Sequence, residues 1–448
     1  MIKQKRSKVK QAILPFILER TYETITPRAG LVLFGEFLYG LRLNQRTDKY
    51  LPLPKSGRGY KPKDFVLPLV LMLNGGGRAI EDIREIKVDE GLRELLCIEK
   101  IPSSDAFYSW LRRMGEGEGL KGLEQLNRFY LHKELKKEKE IRDYTLDLDA
   151  TAILAEKKEA EMTYKGFRGY MPMVGHLAEN GLVVYDEFRQ GNVAPAARNL
   201  EFIKQCERQM PKGKRIGYLR ADAASYQAEI LNYCEQKGIK YAIGAHIDRA
   251  VKEAILSIKE DEWRPYENRH IAETVHCMEK TNQAFRLIVV RRPYQPRLFG
   301  EEEIDLKERY KVIATNLDFE SEEIVKWYDA RGEYSENRIK ELKIGFSMER
   351  MPSSYFKANT VFFTIGSFAY NLFRIFQLNI LPKAYKRHQI KTIRWKLYNI
   401  AGRVVYHSRK IFLKVRNYAY SIFKEIRHKT FLPAIRQVLR RDNSGVLS

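Results

Sequence analysis

Residues 144–153, YTLDLDATAI, decide the fold of this chain. Polar and apolar side chains alternate through Leu146-Asp147-Leu148-Asp149, which is the period of a β-strand and puts the two aspartates on one face and the two leucines on the other. Like charges side by side on one strand repel, and a protein tolerates them where a cation neutralises them. Working outward, GYMPMVGHLA (169–178) and GLVVYDEFRQG (181–191) also alternate and are joined by a Glu179-Asn180-Gly181 turn, so a three-strand antiparallel run is predicted. A helix (195–210), the strand RIGYLRADA (215–223), a helix (225–238) and the strand IKYAIGAHI (239–247) follow. Three strands, helix, strand, helix, strand is the order of a ribonuclease-H-like α/β fold with a mixed sheet. Asp222 falls at the carboxyl end of the fourth strand, where open α/β sheets bind ligands; capping of the next helix is the ordinary alternative.

The remainder of the chain sorts around that block. Residues 1–140 read as a helical N-terminal region in which the short helices of 79–114, with Ser103 or Ser104 as an N-cap, resemble a helix-turn-helix that could contact DNA. The block itself is expected to occupy 141–247 and 319–380. Strand-like pieces at 270–279, 285–294 and 308–317 make 248–318 a β-rich insertion ahead of a helix rich in carboxylates. Beyond Pro382 the chain carries 17 Lys and Arg against 2 acidic residues, interleaved with Tyr, Trp and Phe, so 381–448 is expected to touch DNA. The apolar stretch from Thr360 to Leu381 contains Asn371, Arg374 and Gln377 and suits a buried helix better than a membrane span.

With 448 residues, 80 Lys+Arg against 57 Asp+Glu and a net charge of +23, the chain is long enough for several domains and would attract a polyanion. Aromatic residues at 12% argue that this charge lies on a folded surface rather than a disordered tail. Four dispersed cysteines without a C-x-x-C pair suggest neither zinc nor disulfides. The start, MIKQKRSKVKQAILPFILERTYE, is a poor secretory signal, and a cytoplasmic, nucleoid-associated protein is expected.

Two metal ions on a scissile phosphate need a third carboxylate. Glu333, Glu336 and Glu341 are candidates, and Glu336, Lys340 and Lys343 share one helical face; a solvated salt bridge between Glu336 and Lys340 is the plain alternative.

Taken in order, LDLDAT, YLRADAASY and YDARGEYSENRIKELK resemble the DDE transposases of bacterial insertion sequences, in the group with a Tyr-Arg-Glu-Lys signature. The resemblance spans roughly residues 140–420 and selects Asp149 over Asp147. It implies that Asp149, Asp222 and Glu336 are the catalytic metal ligands and that Tyr328, Arg331, Lys340 and Lys343 contact DNA. The usual spacing is Y-x2-R-x3-E-x6-K; this chain keeps E-x6-K and has one extra residue between Arg331 and Glu336. Trp263 is a candidate for gripping a displaced base. The resemblance further implies two Mg²⁺ (or Mn²⁺) ions, no nucleotide cofactor, a homodimer on double-stranded DNA, no membrane, and cut-and-paste transposition at terminal inverted repeats by cleavage and strand transfer. The alternatives are a ribonuclease-H-like nuclease that cuts without joining and a domesticated DNA-binding protein without catalysis.

Overall fold

In the computed structural model, which describes residues 14, 16–293, 309–332 and 336–442 with side chains as far as 431, the strand read from LDLDA runs Asp143–Ala150 (β1). It lies inside a nine-stranded mixed sheet with Met173–Leu177 (β2), Val183–Glu187 (β3), Arg215–Ala221 (β4), Lys240–Gly244 (β5), Arg264–Tyr266 (β6), Arg269–His276 (β7), Phe285–Arg291 (β8) and Tyr310–Thr315 (β9). The order across the sheet is β6-β7-β8-β9-β5-β4-β1-β2-β3. Strands β1, β4 and β5 are parallel, whereas β2 and β3 extend one side as an antiparallel pair. Residues 177–183 make the expected tight turn, closed by Gly181 N–H donating to the Leu177 carbonyl at 2.8 Å.

The stretch expected to be a separate β-rich insertion instead lengthens the main sheet. Its last strand, β9, pairs antiparallel with β5 through Ala242↔Thr315, so β6 to β9 continue the same hydrogen-bonded surface. The reason is the open edge of β5: an unpaired strand edge offers a row of amides that the next strand can satisfy.

Helices Ala29–Gly40 (α1), Pro62–Gly75 (α2), Ser104–Glu116 (α3) and Gly119–Leu135 (α4) surround the 24-residue helix Phe356–Asn379 (α5). Among the described residues α5 alone is long and apolar enough to cross a membrane, and 83% of its most apolar window is buried in this core. Its polar residues explain the interruption noted in the sequence. Asn371 accepts from Val183 N–H at 2.8 Å and donates to Val183 O at 2.8 Å, so it pairs with β3 as a neighbouring strand would and seals that edge. Arg374 donates to Asn180 O at 2.9 Å.

Ser103 caps α3, and Phe107, Trp110, Leu111 and Met114 are spent on the core, with Trp110 stacked on Phe65 at 4.7 Å. The two chain ends also meet. Ile25–Thr26 pairs with the hairpin Gly402–His407/Lys410–Lys414, and the helix starting at Asn417 is tied to α1 by Arg427–Glu36 at 2.8 Å. The regions expected at 1–140 and 381–448 therefore share a sheet and a core.

His176 on β2 is fully buried, and neither ring nitrogen has a hydrogen-bond partner among the described residues. Burial, with Arg338 and Arg374 nearby, pulls its pKa down to about 3. A folded pKa below the unfolded value of about 6.5 means that the stability is complete above that pH and drains away as pH falls below it, by about 1.4 kcal/mol per unit. His176→Phe is therefore expected to lose about 2 kcal/mol less than the parent between pH 7.5 and 5. Urea midpoints at the two pH values measure this; equal losses would remove His176 from the acid sensitivity.

Candidate active site

The register of β1 against β4 builds the site. Tyr144 lies opposite Ile216 and Thr145 opposite Tyr218, so Gly217 is an extra residue bulged out of the ladder. That one-residue shift sets Arg220 opposite Asp147 on the same face, and by alternation carries Asp222 to the level of Asp149 one layer further out.

Asp147 and Arg220 form the inner layer. Both are buried, and the guanidinium grips the carboxylate through Nε at 2.7 Å and Nη2 at 2.9 Å. Arg220 Nη1 also donates to Trp327 O at 2.6 Å while the guanidinium lies 5.0 Å from the Trp327 ring. It thereby fastens the helix Ser321–Arg331 to the sheet.

The outer layer is acidic. Asp149 is half-buried, and burial pushes its pKa up to about 6; Arg331 opposes the rise, and the negative charges of Asp222 and Glu336 add to it. Asp222 follows β4 directly and accepts from Ala224 N–H at 3.1 Å, so it caps the short turn Ala223–Ser225 while keeping a second oxygen. That turn is held by Asn199, which donates to Ser225 Oγ at 3.1 Å. Glu336 is exposed at the start of the helix Asn337–Lys340.

Gly332 and Glu336, the described residues on either side of 333–335, are π-helical, as is Glu341–Gly345. A π-turn holds one residue more than an α-turn. The charge of Glu336 reaches Asp149. Of the other two candidates, Glu333 lies outside the described residues, and Glu341 is turned inward, accepting from Ile390 N–H at 2.7 Å.

The signature residues separate by environment. Arg331 is 8% exposed; it donates to Leu148 O at 2.9 Å and stands 3.7 Å from Asp149, so its partners are protein atoms where a phosphate was expected. Tyr328 is half-buried near Asp222, with the Lys311 ammonium 5.0 Å from its ring centroid. Lys343 donates to Ala152 O at 2.9 Å beside the end of β1, and Lys340 is exposed. Trp263 is buried beneath the Arg291 guanidinium at 4.2 Å and belongs to the core.

Sequence reading missed Arg220. The signal was available, since Arg220-x-Asp222 repeats the spacing of Asp147-x-Asp149, but pairing the two requires the register.

Among the described residues no three or more His, Cys, Asp or Glu side chains are gathered closely enough to hold a metal ion. The charges of Asp222 and Glu336 both reach Asp149, and Arg331 at 3.7 Å opposes them.

No curated protein matches the chain. Residues 17–431 match the protein family described as Transposase DDE domain group 1. With nearly its whole length matched, the chain belongs to the DDE-domain transposases of that group.

Proposed function

We propose that this chain cuts the ends of an insertion sequence and joins them to target DNA, with Asp149, Asp222 and Glu336 as the ligands of two Mg²⁺ ions, Mn²⁺ being able to replace them. The observation that supports the reading is the pairing of β1 with β4, in which Asp149 and Asp222 each follow by two residues the neutralised Asp147–Arg220 pair. The order β3-β2-β1-β4-β5, with β1, β4 and β5 parallel, supports a ribonuclease-H-like reading of the sheet.

When bound, such a pair of ions supplies an activated nucleophile and stabilises the leaving oxygen of a phosphodiester. Asp149, on which the charges of Asp222 and Glu336 both act, would hold the ions together with those two residues. Arg331 keeps the Asp149 carboxylate aimed by bonding the adjacent backbone. Lys340 and Lys343 hold flanking phosphates, which fixes the strand without reading its sequence. The partner is double-stranded DNA at terminal inverted repeats, engaged by a homodimer so that two ends react together.

The test is incubation of the full chain with the DNA ends that bound its gene and a target plasmid, with and without Mg²⁺. Mg²⁺-dependent nicks at the ends followed by joined products are expected. Nicks without joining would favour a nuclease, and binding without nicks a domesticated binder. Lys340→Ala should weaken DNA binding and lower the slope of log affinity against log salt by about 1. An unchanged slope in a salt titration would take Lys340 off the DNA.

A further inference from the structure

Between β1 and β2 the chain makes a small ribbon of three short strands, Ile153–Leu154, Arg168–Tyr170 and Glu161–Met162, with Arg168–Tyr170 in the centre. Its inner end is pinned to the site. Thr151 N–H donates to Pro172 O at 2.9 Å, and Lys343 Nζ to Ala152 O at 2.9 Å. Tyr170 is fully buried with its hydroxyl accepting from Asn359 at 3.2 Å, and Glu159 accepts from Phe356 N–H at 2.7 Å.

The outer end is as well built but uncovered. Thr163 N–H donates to Phe167 O at 2.8 Å, closing a turn in which Gly166 takes a φ of +81° that a side chain would strain. At this tip Tyr164 is 65% exposed and Met162 53% exposed, with Lys165 exposed beside them. Lys165 is also near enough to Lys343 for the two like charges to interact. A rigid support thus holds a large ring, an apolar side chain and an ammonium group in water, next to the strand that carries Asp149.

Flat apolar rings flanked by cations suit one ligand chemistry above others, a nucleic-acid strand with an unstacked base and its phosphate. We propose that the ribbon tip is a stacking platform for the DNA being cut: the Tyr164 ring covers a base unstacked beside the scissile phosphate, Met162 fills the space next to it, and Lys165 meets the adjacent phosphate. The proposal rests on the DNA-cutting function above and adds a substrate contact to it.

The experiment places 2-aminopurine at each of the three positions nearest the end in duplexes copied from the DNA that bounds the gene. The full chain is added in Ca²⁺, and cleavage of the same duplexes in Mg²⁺ is followed in parallel. With the parent chain, fluorescence should change at one position. Tyr164→Ala should abolish that change and slow cleavage roughly 10-fold, whereas Tyr164→Trp should retain both, because stacking needs only a π-face. A parent chain that cuts while its fluorescence response is the same in Tyr164→Ala would overturn the platform alone. A parent chain that neither binds nor cuts would overturn the functional reading and the platform with it. Loss of self-association in Tyr164→Ala, with DNA responses intact, would reassign the tip to a protein contact.

Discussion

Asp149→Asn, Asp222→Asn and Glu336→Gln should each lower Mg²⁺-dependent cleavage by at least about 100-fold, the scale on which a lost electrostatic contact to a transition state is felt. DNA affinity should change little, because it comes from a basic surface on a chain of net charge +23 and not from the acids. The three substitutions keep shape and remove charge, so folding should survive; Asp149, Asp222 and Glu336 all reach solvent. Single-turnover cleavage with a labelled end, alongside a binding titration, measures both quantities. A variant that still cuts within a few-fold of the parent would release its residue from the site.

The substitution with the largest expected effect on stability is next door. Asp147→Ala strands the buried Arg220 guanidinium, and losing one partner of a buried pair costs about 3–5 kcal/mol. Asp147→Leu with Arg220→Met should recover most of that loss, since apolar replacement of a whole buried pair is often neutral. The double variant should nevertheless cut poorly. Without Arg220 the Trp327 carbonyl loses its donor from β4, and the helix leading to Glu336 is left with its remaining ties to the sheet, such as Arg331 to Leu148 O. Urea midpoints report the first effect and cleavage rates the second. A stable double variant with full activity would show that Arg220 serves only the fold. The contrast matters because Asp147 and Asp149 differ by two residues and are expected to fail differently, one by unfolding and one by chemistry.

Much of this was legible in the sequence. The strands β1 to β5 and the helices between them follow from alternation and helical spacing, because those patterns are set by which side of a strand or helix must face a core. The buried central helix, the turn at Gly181 and the cap at Ser103 are local for the same reason. The selection of Asp149, Asp222 and Glu336 came from motif order. The strands at 269–276, 285–291 and 310–315 were recognised as strands, but the short one at 264–266 and the attachment of all four were not, since a sequence pattern says that an edge exists and not which edge it meets. The joining of the chain ends through Ile25–Thr26 and residues 402–414 was likewise invisible, being a pairing across more than 370 residues of chain.

The sequence by itself determined which segments are strands and helices and that acids recur at strand ends, because those properties depend on neighbours a few residues apart. Only the tertiary structure decided what surrounds each acid. The bulge at Gly217 fixes the register that gives Asp147 the close grip of Arg220 at 2.7 Å and leaves Asp149 beyond that pair with Arg331 no nearer than 3.7 Å, and a slip of a single residue would have turned Arg220 and Asp222 to the other face of the sheet.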